Sequence, residues 1–206
     1  MEITVKRSAQ VVGFLLVSAA ATQALYTVLY LAAPDIVRLP IWSAEAVIFV
    51  LLAAFVTSPL VHSRRLTIGW GAILAASVLN VVQVGVGLTM FYPFIDAAKE
   101  QEALAPVAGA IVAFSFFVYN AAKTLIALAA VIFGLEKLRA ARSGQGTAKA
   151  LGGVAALVGV VAIFANAASM AMGRDVFGEL PLAGGTGVLA TLLLALCVSG
   201  AVETRD

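Results

Sequence analysis

The chain has 206 residues, of which 62% are hydrophobic and 12% charged, with a mean hydropathy of +1.05. Water-soluble domains run at about half apolar and about a quarter charged, so this composition points to an integral membrane protein. One cysteine, one histidine and a net charge of +2 without runs of like charge argue against a disulfide framework, a haem or zinc centre, and a nucleic-acid partner.

A hydrocarbon core of about 30 Å takes about 20 apolar residues per helix. Apolar runs between charges and turn residues predict six transmembrane helices, at 9–33, 41–61, 66–92, 106–135, 150–173 and 184–202, in a single all-α domain covering 1–206. The first span follows Lys6 and Arg7 and carries Gln23. Its apolar run continues past the small residues Ser18 to Ala21 as far as Ala33, longer than a signal core needs, and it is expected to stay as a span. The second span starts beside Pro40 and Trp42, carries Glu45, and has Pro59 in its last turn. The third contains Ser77, Asn80, Gln83 and Gly87 at helical spacing. Between it and the fourth, the segment from Pro93 to Ala105 is an external connection able to form a short surface helix. On the fourth span Ser115, Tyr119 and Lys123 repeat every four residues, with Asn120 and Thr124 beside them. The connection from Glu136 to Lys149, with Ser143, Gly144, Gln145 and Gly146, reads as a flexible joint separating four helices from two. The fifth span pairs Gly152 with Ala156 and Ala155 with Gly159, small residues that permit close helix approach. Packing within one chain explains them, and turned outward the same face would make a homodimer seam. Asn166, Ser169 and Gly173 follow on this span. Gly184, Gly185 and Gly187 open the sixth, without the lysine of a phosphate loop.

Of the 13 basic and 11 acidic residues, only Glu45 and Lys123 fall inside the proposed spans. Lys6, Arg7, Arg64, Arg65, Lys137, Arg139, Arg142, Lys149 and Arg205 gather on the side of the termini, against Arg38, Lys99 and Arg174 on the other. The positive-inside rule then places both termini in the cytoplasm of a cell membrane, the inner membrane in a bacterium. Tyr30, Trp42 and Tyr92 are expected at the outer boundary and Trp70 at the inner one.

At 1.5 Å per residue, Gln23, Asn80 and Asn166 lie roughly 21 to 24 Å above the cytoplasmic face, Lys123 roughly 18 Å and Glu45 roughly 24 Å. Polar groups at one depth on separate helices are expected to turn away from lipid and converge in a chamber lined by the first, third, fourth and fifth spans. Glu45 and Lys123 are expected to approach each other, directly or through water. The candidate ligand-binding residues are Lys123, Glu45, Tyr119, Asn120, Asn80, Gln83, Asn166 and Gln23, with no catalytic, metal or cofactor site. The resulting expectation is a non-enzymatic membrane protein, in contact with lipid, that binds or transports a small or amphipathic molecule. The alternative is a non-catalytic subunit or assembly factor with a membrane-protein partner, in which the amides are interhelical glue.

Overall fold

The computed structural model describes residues 4–33, 37–142, 144–173, 176–178 and 182–199. Within them the chain is all α: α1 (Val5–Ala32), α2 (Leu39–His62), α3 (Thr67–Val86), α4 (Tyr92–Glu100), α5 (Ala105–Ala140), α6 (Gly146–Met172) and α7 (Leu182–Val198). A wide π-turn at Gly87–Phe91 joins α3 to α4 in one rod, so the seven segments make six rods matching the six expected in sequence.

Proline punctuates as expected: Pro40, Pro93 and Pro106 sit in the first turns of α2, α4 and α5, and Pro59 in the last turn of α2. Pro34, Asp35, Arg174, Asp175, Pro181 and Arg205 lie outside the described residues. The third span runs beyond its expected end. Pro93 has no N–H to give the carbonyl four residues back and its ring crowds that carbonyl, which would break a regular α-helix. The π-turn just before it widens the ladder and lets the rod continue to Glu100. The connection from Pro93 to Ala105 is thus mostly helix, but an extension of the third span rather than a separate element. Gly87 lets this turn press on Trp42, because a Cβ there would lie 3.3 Å from the indole.

The rods form a ring. α1, α2, α3, α5 and α7 pack in that order, α7 closes back on α1, and α6 lies outside along α5 and α7. Among the described residues α1 and α5 face one another across the ring without backbone contact. Leu16, Phe49, Leu52, Val56, Ile73, Ile126 and Leu194 fill the core. Trp70, expected at the inner boundary, lies near the start of α3 and is buried, its ring meeting Phe133 edge-on with centroids 4.8 Å apart. Aromatic pairs in this geometry gain beyond their buried area. Phe133→Leu, which removes that contact and leaves a small void, is expected to cost about 1–2 kcal/mol in thermal or denaturant unfolding in detergent.

The closest helix contact is between α5 and α6. A Cβ on Gly134 would lie 2.7 Å from the Gly152 carbonyl, one on Gly152 2.6 Å from the Gly134 carbonyl, and one on Gly159 2.8 Å from the Ala127 carbonyl. The small-residue face of the fifth span is therefore occupied by α5 of the same chain. The link between these helices is short, 141–145, and turns at Gly144 with φ +92°. α6 packs closely along α5, so the fifth span is not set apart from the first four.

The outward faces are apolar. Phe14, Phe164 and Met172 are each more than 70% exposed, and Phe114 and Phe117 about half exposed. Such surface is a liability in water and the natural exterior in hydrocarbon. Five of the described rods are long and apolar enough to cross a membrane, and α7 is shorter, at 17 residues.

Candidate functional site

All eight candidate residues belong to described helices, and Gln23, Glu45, Asn80, Asn120, Lys123 and Asn166 are buried, with Gln83 and Tyr119 half-buried. They do not form one chamber. Their hydrogen bonds sort them into a central group around Lys123 and a set of amides that turn back on their own helices.

Lys123 is 1% exposed and projects from α5 into the ring. Gly187 on α7 makes room for its stem, because a Cβ there would lie 2.9 Å from the lysine Cδ. The ammonium donates to Gln23 Oε1 on α1 and makes a longer contact of 3.5 Å with Thr191 Oγ1 on α7. Thr191 donates its own hydrogen to the Gly187 carbonyl at 2.7 Å, which turns a lone pair toward the lysine. The Tyr119 ring lies one turn away on α5, with its centroid 5.4 Å from Nζ. Lys123 thus bridges two helices whose backbones do not meet.

Glu45 enters from α2 near Thr22 of α1 and is close enough to Lys123 to act on it electrostatically, but no ion pair joins them. The expected approach is partial. Gln23 is fixed at the right height to take the ammonium, and Glu45 Oε1 is left buried without a hydrogen-bond partner.

Above Glu45 is an aromatic cluster. Trp42 lies 6.0 Å from Tyr26, 5.6 Å from Phe91 and 6.5 Å from Tyr92, centroid to centroid, and Tyr26 stacks on Tyr30. The Arg38 guanidinium lies 5.7 and 5.1 Å from the Tyr26 and Tyr30 ring centroids, within cation–π range. Tyr30, Trp42 and Tyr92, expected at one boundary, do gather at one end of the ring.

The remaining amides are arranged differently from the sequence expectation. Asn80, Asn120 and Asn166 donate to the carbonyls of Ala76, Phe116 and Ala162, each four residues back in the same helix, at 2.7–2.9 Å. Gln83 crosses to Ser115 at 3.3 Å, tying α3 to α5. None of these amides bonds Lys123, whose hydrogen-bond partners come from α1 and α7. Sequence reading missed Thr191 and Gly187, although their four-residue spacing on an otherwise greasy helix is the signal that marks them.

The fold defines a class: an apolar all-α bundle, compatible with an integral membrane protein, with polar groups turned inward. The chain matches no family model, no curated protein and no solved structure.

Proposed function

We propose that this is a cell-membrane protein that binds or transports a small or amphipathic molecule at the centre of its helix ring, with both termini in the cytoplasm. The observation that carries this reading is the pairing of two unlike buried groups. Lys123 is held by Gln23 and Thr191, while Glu45 beside it keeps a buried carboxyl oxygen without a partner. A structural clasp would bring the two charges into contact. A molecule with a donor facing Glu45 and an acceptor facing Lys123 would satisfy both, and intramembrane ionisable groups generally mark such sites. The basic-residue count of the connecting segments supports the orientation. The alternative, a non-catalytic subunit or assembly factor of a larger membrane complex, draws on the amides that do tie helices together, Gln83 to Ser115 and Gln23 to Lys123.

Native mass spectrometry of the protein purified in mild detergent tests the reading. The wild type is expected to carry a small-molecule adduct, and the near-isosteric Glu45→Gln variant is expected to lose it while keeping its helical circular dichroism. A wild type without an adduct, or a variant that retains it unchanged, would overturn the ligand-binding reading in favour of the subunit.

A further inference from the structure

A second group of buried polar atoms lies on the contact between α5 and α6, one turn of α5 along from Lys123. Asn120 and Asn166 spend an N–H on their own helix carbonyls, at 2.7 and 2.8 Å, which turns both amide oxygens outward. Neither oxygen has a hydrogen-bond partner, and both residues are fully buried. Ser169 Oγ is also buried and unpartnered. That is unusual for this chain: Ser18, Thr27, Ser77, Thr89, Thr124 and Thr191 all donate to the carbonyl four residues back.

Helix register brings the three together. Gly134 meets Gly152 and Ala156, and Ala127 and Val131 meet Gly159, so the two antiparallel helices advance in step. On α6 the stripe facing α5 runs through Gly152, Gly159 and Asn166 at seven-residue intervals, with Ser169 one turn on. On α5 the stripe through Gly134 and Ala127 reaches Asn120 at the same interval. Continuing the register places Asn120 opposite Asn166 and Ser169. α7 closes the third side, since Asn166 Nδ2 also approaches the Ala183 carbonyl at 3.4 Å.

We propose that Asn120, Asn166 and Ser169, where α5, α6 and α7 meet, bind one alkali cation. The oxygens are hard, neutral donors, which suit Na⁺ or K⁺. A divalent ion would need carboxylates to offset its charge, and Glu45 sits on α2, which does not pack on α6.

The test is thermal unfolding of the full chain in detergent, titrated with NaCl, KCl or choline chloride at equal ionic strength. Na⁺ or K⁺ is expected to raise Tm saturably by about 3 °C or more over choline. Ser169→Ala and Asn120→Leu are expected to abolish that increment, whatever their own Tm, and Asn166→Asp to strengthen it. Equal Tm values in the three salts would overturn the proposal and leave the oxygens to water, and an increment that survives both Ser169→Ala and Asn120→Leu would overturn the location. The adduct measured with Glu45→Gln is independent of these readings, so either site fails without the other.

Discussion

Replacing Gly159 with leucine is expected to destabilise the bundle by at least about 3 kcal/mol, or to prevent its purification as a folded species. The reason is backbone proximity: a Cβ at this position lies 2.8 Å from the Ala127 carbonyl and 3.1 Å from the Val131 nitrogen. Backbone atoms cannot swing aside as a flexible side chain can, so α5 and α6 must separate along their length, and overpacking of this kind exceeds the usual range for a core insertion. Gly152→Val is expected to act in the same direction. Gly153→Ala on the neighbouring face is the control, because nothing lies within 4 Å of its Cβ. There the helix-propensity gain of up to about 1 kcal/mol should appear as unchanged or raised stability. Thermal unfolding of the three variants in one detergent reads all of these outcomes. A Gly159→Leu protein as stable as wild type would show that this helix contact contributes little.

The second large effect concerns charge. Lys123→Met is expected to cost about 1–3 kcal/mol, because it leaves the buried Gln23 oxygen without its donor and takes a cation away from the neighbourhood of the buried Glu45 carboxyl. Adding Glu45→Gln to that variant is expected to recover more than about 1 kcal/mol, because the uncompensated group is removed as well. The two positions would then be coupled although they are not in contact. Additive single effects in this cycle would mean that Lys123 is stabilised by Gln23 and Thr191 alone.

Much of the helix plan was legible because hydropathy and proline act locally. The π-turn was not, because Pro93 reads equally as the end of a helix or as a widened turn within one, and the contact of Gly87 with Trp42 is long-range. The burial of the candidate site was legible too: charged or amide groups inside apolar runs have nowhere else to go, and six of the seven are buried, Gln83 being half-buried. Their partners were not. Depth along a helix axis follows from residue count, but azimuth depends on which helices adjoin, and that is how Thr191 rather than Asn80 came to face Lys123. Trp70 shows the same limit, since nothing local to it announces Phe133, 63 positions along the chain.

The closure of α7 on α1 brings early and late parts of the chain around one side chain. Gln23 belongs to the first described helix and Lys123 to α5, 100 residues later. Gly187 and Thr191, which wall in the lysine stem, come only with the last. Without α7 one flank of the ammonium would lose its wall, so the lysine is enclosed only once α1 and α7 have both packed around it.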